Sequence, residues 1–170
     1  MNTFLIADTH FGHQGVCEFT NQYGNPLRPW DTWQEMDEVL VKNWNSVVAP
    51  NDKVYHLGDV TMKRIHLQTL SRLNGKKVLV RGNHDIFKIE DYLPYFYDVR
   101  GTHKLDSFLL SHVPIHPDSL GRYSHNIHGH LHSNRVQYKE TDDPFYICVS
   151  VEQINYTPVE LETLKKAANI

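Results

Sequence analysis

Side chains that bind metals or transfer protons recur at five places along the chain. They are Asp8 with His10, Asp59, Asn83 with His84, His112, and His130 with His132. Histidine is both the commonest metal ligand in proteins and the commonest general acid or base. The chain holds twelve histidines, and six of them lie between His112 and His132. Histidines scattered by drift would not cluster in this way, so we interpret these residues as parts of one functional site.

The candidate ligands are too many for one metal ion. Seven donors can be counted: Asp8, His10, Asp59, Asn83, His112, His130 and His132. A tetrahedral zinc site needs fewer, whereas two ions bridged by one carboxylate would use them all. Imidazole and carboxylate without thiolate favour Mn²⁺, Fe, Zn²⁺, Ni²⁺ or Co²⁺. Two ions about 3.5–4 Å apart can hold a bridging hydroxide and bind a phosphoryl oxygen, which is the chemistry of phosphoester hydrolysis.

Each polar group follows a segment that the sequence predicts to be a β-strand. The clearest of these strands are residues 1–8, 53–57 and 77–81. In an open α/β sheet, sites form outside the carboxyl ends of the strands, so separate segments would bring their side chains to one rim. We also expect Asp8 to share a face with His10, and His130 with His132, because residues i and i+2 of an extended chain point the same way.

The remaining pattern predicts an α/β fold. Helices are expected at about 32–48, 62–73 and 86–93, with a long loop at 11–30. The first of these helices has a capping box, Thr32 with Glu35, and an apolar face of Trp33, Met36, Leu40, Trp44 and Val47. A last helix is expected with Thr157 as N-cap, Pro158 at the first helical position and Glu160 completing a capping box.

The second half of the chain is richer in predicted strands, at 96–100, 107–111, 126–129 and 145–151. We expect several of these strands to pair antiparallel through short turns. The order β-α-β-α-β followed by a strand-rich half predicts an α/β sandwich, with central mixed β-sheets flanked by helices.

Composition limits the class of protein. A length of 170 residues suits one domain spanning 1–170. The net charge of −3 predicts no strong nucleic-acid-binding surface, and no apolar run is long enough to cross a membrane. Two cysteines, Cys17 and Cys148, are too few for a disulfide framework, and the N-terminus lacks a signal-peptide pattern. We therefore expect a cytoplasmic protein.

The motifs together resemble those of a known family. Asp8-Thr9-His10, Gly58-Asp59, Gly82-Asn83-His84-Asp85, Ser111-His112 and Gly129-His130-Leu131-His132 occur in the order of the five motifs of the calcineurin-like metallophosphoesterases. The opening from Asp8 to His13 resembles a small single-domain branch found in bacteria and bacteriophages, and the resemblance covers about residues 3–165. It implies the metallophosphoesterase-type α/β sandwich.

The resemblance implies a role for each ligand. One divalent metal would be held by Asp8, His10 and His132, and the other by Asn83, His112 and His130, with Asp59 as the bridge. The metal expected first is Mn²⁺. The catalytic set would be His84, Asp59 and Asn83, in which His84 protonates the leaving oxygen or steadies the phosphoryl group, and Asp85 would orient His84.

The resemblance also implies a hydrolase, and we expect a phosphodiesterase whose nucleophile is a hydroxide held between the metals. Its substrate would be a small phosphodiester, a nucleotide or a nucleic-acid end. A phosphomonoesterase or nuclease of the same family is an alternative, as is an inactive scaffold that binds other proteins. A homodimer is compatible with the resemblance, since many relatives are dimers.

Residues that flank the motifs allow two interpretations each. His13 either faces the site or is a loop histidine. Arg81 either neutralises phosphate or braces its turn, and His128 either shares the face of His130 or lies apart from it. Lys63 and Arg64 are interpreted as surface charges rather than substrate contacts. We expect packing or surface roles for three further histidines, His56, His66 and His103.

Overall fold

The computed structural model describes residues 1–170, with two main β-sheets flanked by helices. The strands are β1 (Thr3–Ile6), β2 (Lys53–His56), β3 (Lys76–Val80), β4 (Asp98–Arg100), β5 (His103–Leu105), β6 (Phe108–Leu110), β7 (His125–His128), β8 (Gln137–Tyr138), β9 (Thr141–Asp142), β10 (Tyr146–Cys148) and β11 (Val159–Glu160). The α-helices are α1 (Gly15–Glu18), α2 (Trp33–Val47), α3 (Ile89–Tyr92) and α4 (Leu161–Ala167). Three 3₁₀ helices cover Arg64–Arg72, Pro117–Ser119 and Val151–Gln153.

The first sheet has the order β11-β1-β2-β3-β4, and the second has the order β10-β7-β6-β5. Strands β1 to β4 run parallel, and so do β6, β7 and β10. The two sheets meet just beyond β1, where the Ala7 amide donates to the Val149 carbonyl at 2.9 Å. The carboxyl ends of β1, β2 and β3 therefore lie close to the ends of β7 and β10.

Strand β1 is buried on both faces, which explains its unbroken apolar run. Phe4 and Ile6 pack on the side of α2, whereas Leu5 and Ala7, the residue that follows the strand, pack against the second sheet. Successive side chains of a strand point to opposite faces, so a strand between two layers needs apolar residues at every position.

Helix α2 shows one of the two hydrogen bonds of the predicted capping box and most of the predicted apolar face. The Thr32 hydroxyl accepts a hydrogen bond from the Glu35 amide at 3.3 Å, and Met36, Leu40 and Trp44 are buried. Val47 was expected on the same face, but it is 40% exposed because it lies in the last turn, beyond the edge of the core. None of the helices is long and apolar enough to cross a membrane.

Four predictions about elements differ from the structure. The expected antiparallel pairing is mostly parallel, and only β5 with β6, β8 with β9 and β1 with β11 pair antiparallel. The expected helix at 62–73 is a 3₁₀ helix, and the loop at 11–30 contains α1. The last helix does not begin at Thr157, because Val159 and Glu160 first pair with β1, and Glu160 becomes the N-cap of α4.

Candidate metal centre

The predicted ligands converge where the two sheets meet. Two groups of potential metal ligands form there, Asp8 with His10 and His132, and Asp59 with His112 and His130. Within each group, one donor atom from every residue lies within 4.8 Å of the others. The candidate ligands thus lie together at the carboxyl ends of parallel strands. The first group contains the three residues that the family resemblance implies for one metal, whereas the second contains Asp59 with His112 and His130.

The first group has buried donor atoms that no protein group satisfies. Asp8 Oδ2 accepts hydrogen bonds from the His130 amide at 2.8 Å and the Ser150 hydroxyl at 2.6 Å, whereas Oδ1 is buried without a partner. Neither ring nitrogen of buried His10 has a hydrogen-bond partner. Buried polar atoms are rarely left unpaired because desolvation is costly, so Asp8 Oδ1 and the unprotonated ring nitrogen of His10 fit a bound cation.

The second group turns several acceptor atoms towards one another. The Nδ1 atom of His112 donates to the Leu57 carbonyl at 2.7 Å, which leaves Nε2 without a proton in the neutral ring. That Nε2 lies 2.9 Å from Oδ1 of Asn83 and 3.3 Å from Nδ1 of His130. Asn83 Oδ1 is also 3.0 Å from Nδ1 of His130. A cation here would satisfy the lone pairs of Asn83 Oδ1 and His112 Nε2, and also that of His130 Nδ1 in the tautomer that is protonated at Nε2.

Asp59 lies between the two groups. Its Oδ2 atom is 3.7 Å from His10 Nε2 and 3.4 Å from His112 Nε2. Its Oδ1 atom accepts a hydrogen bond from the His84 amide at 2.9 Å, which fixes the carboxylate. One carboxylate oxygen thus faces a histidine of each group, as a bridging ligand must.

The turns that carry Asp59 and Asn83 touch through glycines. A Cβ atom on Gly58 would lie 2.5 Å from the Gly82 nitrogen, and one on Gly82 would overlap Oδ1 of Asp59. No side chain fits at either position without moving the backbone. Gly58 also has φ of +92°, which other residues rarely adopt.

The backbone at the ligands is not extended. Left-handed φ angles occur at Asp8 (59°), His10 (49°), Asp59 (57°), His130 (70°) and His132 (52°). Such conformations cost about 1–3 kcal/mol each in residues other than glycine and are typical of functional sites. The expectation that Asp8 lies beside His10, and His130 beside His132, assumed an extended chain. The pairs do lie close together, but they follow the ends of their strands and the backbone there is not extended.

Asp85 does not orient His84, contrary to expectation. Its carboxylate accepts hydrogen bonds from the amides of Asp59 and Gly82, each at 2.8 Å, and of Val60 at 3.0 Å. Asp85 thus ties the Asp59 turn to the Asn83 turn. His84 stands at the rim, with its side chain 44% exposed and its Nε2 4.0 Å from Oδ2 of Asp59.

Two charged residues that the motifs did not indicate lie beneath the first group. Glu152 Oε1 accepts a hydrogen bond from Nδ1 of His132 at 3.0 Å and another from Nε of Arg28 at 2.8 Å. Both charged side chains are almost fully buried. Burial opposes ionisation of Glu152, but the charge of Arg28 and the His132 hydrogen bond outweigh it and lower its pKa. A buried arginine facing a buried glutamate has no local sequence signature.

The surroundings of the ligands shift their pKa values in different directions. Burial raises the pKa of Asp8 to about 6, although His132 and His112 oppose the shift. Burial also disfavours the Asp59 carboxylate, but the hydrogen bond and charge of His112 outweigh it and lower the pKa of Asp59 to about 2. The same contact, against the effect of burial, raises the pKa of His112. Without metal, the centre thus holds protons among its ligands.

Residues that flank the motifs have distinct surroundings. The ring of His13 lies 5.7 Å from that of His10, at the edge of the first group. Arg81 donates to the carbonyls of Asp85 at 2.5 Å and Phe87 at 2.6 Å, so it braces its turn. His128 lies outside both groups, and its Nδ1 donates to the Gly129 carbonyl at 2.7 Å. Arg64 pairs with Asp91 at the surface at 3.2 Å.

The histidines expected to have packing or surface roles do so. Buried His56 accepts from the Gly58 amide at 3.2 Å, so its Nε2 donates to the Thr9 hydroxyl at 2.9 Å. His66 packs against Trp33, with ring centroids 4.8 Å apart, and His103 stacks on Tyr55 at 5.0 Å.

Two known proteins resemble this chain, one over most of its length and the other over about half of it. An uncharacterized protein of Methanocaldococcus jannaschii is 36% identical over 173 residues, which cover 96% of this chain and 89% of the relative. The Gene 66 protein of Mycobacterium phage L5 is 38% identical over 89 residues, which cover 49% of this chain and 40% of that protein.

A solved structure and a family model agree with the motifs. The crystal structure of a protein of unknown function from Aquifex aeolicus superposes with a TM-score of 0.72 at 27% identity, covering 97% of this chain and 98% of that chain. It has the same α/β fold. The model of the family described as calcineurin-like phosphoesterase matches residues 1–164, and this chain therefore belongs to that family of metal-dependent phosphoesterases.

Proposed function

We propose that this protein is a phosphodiesterase that uses two divalent metal ions, with Mn²⁺ as the ion that serves it best. The observation that carries the proposal is the position of Asp59, whose Oδ2 faces His10 in one ligand group and His112 in the other. Asp8, His10 and His132 would hold one ion, and Asn83, His112 and His130 the other. Mixed nitrogen and oxygen donors without thiolate suit Mn²⁺ and its neighbours.

Bound ions would supply Lewis acidity and a hydrolytic nucleophile at neutral pH, and would neutralise the charge of the phosphoryl group. The protein contributes a fixed frame for that chemistry. Asp8, His10, Asp59 and His112 are buried, which limits their motion and excludes bulk water. The Asp85 hydrogen bonds hold the Asp59 turn and the Asn83 turn together.

His84 is the residue we propose as the general acid. Its amide is anchored to Asp59, whereas its ring is partly exposed at the rim, where a substrate oxygen can reach it from solvent. An imidazole in that position can donate a proton to the leaving oxygen as its bond to phosphorus breaks.

The diester preference rests on the shape of the rim. The floor of the centre is buried, but Asn83 is exposed and His84 is half exposed, so the site opens along one edge. A phosphate with substituents on both sides can lie across an open edge. Small phosphodiesters, nucleotides and nucleic-acid ends are therefore the substrates we propose.

Bis-p-nitrophenyl phosphate and p-nitrophenyl phosphate test the proposal directly. We expect turnover of the diester with Mn²⁺ and none after chelation, with a higher kcat/KM for the diester than for the monoester. A panel of cyclic nucleotides, nucleotide monoesters and DNA or RNA ends then identifies the substrate class. Faster monoester turnover would support the phosphomonoesterase alternative instead.

The scaffold alternative predicts a different result. It requires turnover no higher than background with Mn²⁺, Ni²⁺, Co²⁺ or Zn²⁺, whereas we expect at least one of these ions to support hydrolysis. We also propose a cytoplasmic location, which is supported by Cys17 and Cys148 both being free thiols.

A further inference from the structure

Arg28 places its guanidinium group in the interior of the protein. It is 1% exposed and comes from the irregular segment between α1 and α2. Its guanidinium donates to the Thr9 carbonyl at 2.8 Å, to the Asp8 carbonyl at 2.5 Å and to Glu152 Oε1 at 2.8 Å. Burying a charge is costly unless it is paired and hydrogen-bonded, so a buried arginine needs partners of this kind.

The contacts of Arg28 reach the first ligand group from two sides. The carbonyl that it binds on Asp8 belongs to a residue with a left-handed backbone. The carboxylate oxygen that it binds on Glu152 also accepts the proton of His132 Nδ1, at 3.0 Å. With Nδ1 protonated, Nε2 of the neutral His132 ring keeps its lone pair for a metal.

We propose that Arg28 and Glu152 are positioning residues of the first metal site, formed by Asp8, His10 and His132. Glu152 holds His132 in the tautomer that presents Nε2, and Arg28 fixes both Glu152 and the strained backbone that presents Asp8. This inference rests on the two-metal centre proposed above. It also explains the irregular segment before α2, because this segment places Arg28 beneath the site.

Arginine suits this position better than lysine. Its planar guanidinium places several donors in fixed directions, whereas a lysine ammonium is one compact charge on a flexible stem. Arg28 also contacts Met36 Sδ at 3.2 Å. Its three oxygen acceptors come from two distant parts of the chain, and one ammonium group would not reach all of them in this geometry. A buried ion pair is also weak evidence of a stabilising role, because desolvation offsets much of the attraction.

Mn²⁺ binding to the metal-free protein, measured by calorimetry and by electron paramagnetic resonance, tests the inference without enzyme assays. We expect wild type to bind two ions, and Arg28→Lys and Glu152→Gln to bind one of them about 10–100-fold more weakly. The affinity of the second site should change little. Wild-type affinity at both sites in either variant would overturn the inference.

A double variant separates positioning from folding. Arg28→Met with Glu152→Leu replaces the ion pair by apolar side chains, a change that proteins often tolerate without loss of stability. We expect a folded protein, with a cooperative thermal transition, whose first metal site is still weakened. A folded double variant with two wild-type sites would overturn the inference, and Glu152→Gln alone decides the matter if the double variant does not fold.

A surface pair of the same chemistry provides the control. Arg72 binds Glu38 through two hydrogen bonds of 2.7 Å, and both side chains are largely exposed. Arg72→Lys and Glu38→Gln should leave both Mn²⁺ affinities unchanged.

A spectroscopic readout completes the test. In the metal-free protein, at a pH high enough for the His132 ring to be neutral, ¹⁵N NMR should show His132 protonated at Nδ1 in wild type and a mixture of tautomers in the double variant. Unchanged tautomers in a folded double variant contradict the role of Glu152. If wild type binds no Mn²⁺ at all, the two-metal centre and this inference are both wrong. If wild type binds two ions and the variants bind them equally well, only this inference is wrong and the two-metal centre stands.

Discussion

The amide oxygen of Asn83 lies 2.9 Å from Nε2 of His112, although the Leu57 carbonyl already takes the proton on Nδ1 of that ring. Two lone pairs at this distance repel one another unless a cation or a proton lies between them. The structure thus shows, in one contact, why the centre should compete for metal ions and protons alike.

Mn²⁺ binding should release protons and become weaker on acidification. The Asp59 contact, against the effect of burial, raises the pKa of His112, and the Glu152 contact does the same for His132. At pH 6.5 each ring is therefore more often the imidazolium than a free imidazole would be, and a metal must displace that extra proton. Affinity should rise with pH through this range, by up to about tenfold per unit for each proton displaced.

Calorimetry in buffers of different ionisation enthalpy counts these protons. We expect more than one proton released per chain at pH 6.5 and fewer at pH 8.5. If the measured enthalpy does not depend on the buffer at pH 6.5, the ligand imidazoles are already neutral and the metal displaces no protons from them.

Asp59→Asn should abolish turnover and weaken both metal sites, because one oxygen of Asp59 faces both ligand groups. The matched control is Asp106→Asn, since Asp106 pairs only with Lys165 at the surface. Mn²⁺ stoichiometry and diester hydrolysis are the measurements. Two bound ions with full activity in Asp59→Asn would remove Asp59 from its bridging position.

His84→Ala should reduce kcat by about 10²–10⁴-fold while both metals remain bound, as expected for loss of a general acid. His116→Ala is the control, because the His116 side chain is 75% exposed and lies outside the ligand groups. Loss of a metal ion from His84→Ala would instead make His84 a ligand.

The stability of the wild-type protein should fall more steeply with decreasing pH than the stability of the His56→Asn variant. Burial lowers the pKa of His56 to about 3. Below pH 6.5 the unfolded chain therefore takes up a proton at His56 that the folded protein does not, and stability is lost as pH falls. At pH 7 the variant should be less stable, because the His56 side chain bonds to Thr9 and to the Gly58 amide.

Urea unfolding of the metal-free proteins measures this difference. The stability gap between wild type and His56→Asn should shrink by about 1.4 kcal/mol per pH unit below pH 6.5. Other titrating groups are common to both proteins and cancel in the difference. A gap that stays constant from pH 7 to pH 5 would contradict a neutral, buried His56.

The convergence of the candidate ligands could be predicted from the sequence because it follows from one rule. Asp8, Asp59 and Asn83 each follow a parallel strand of the first sheet, and parallel strands end at the same edge. Periodicity also predicted α2, whose cap and apolar face are both local features.

The parts that were missed depend on distant contacts. Arg28 and Glu152 are 124 positions apart, and each resembles an ordinary surface charge in sequence. The capping pattern at Thr157 was overridden because Val159 and Glu160 pair with β1. Likewise, no local pattern distinguishes the parallel pairing of β6, β7 and β10 from the antiparallel pairing that was expected.

The most direct test of the two-metal centre is anomalous diffraction at the manganese edge from crystals grown with Mn²⁺. We predict two anomalous peaks in all, one on each side of Asp59. One peak should lie beside Asp8 and His132, and the other beside Asn83 and His130. A single peak, or ligand side chains that point away from the ions, would contradict a two-metal centre bridged by Asp59.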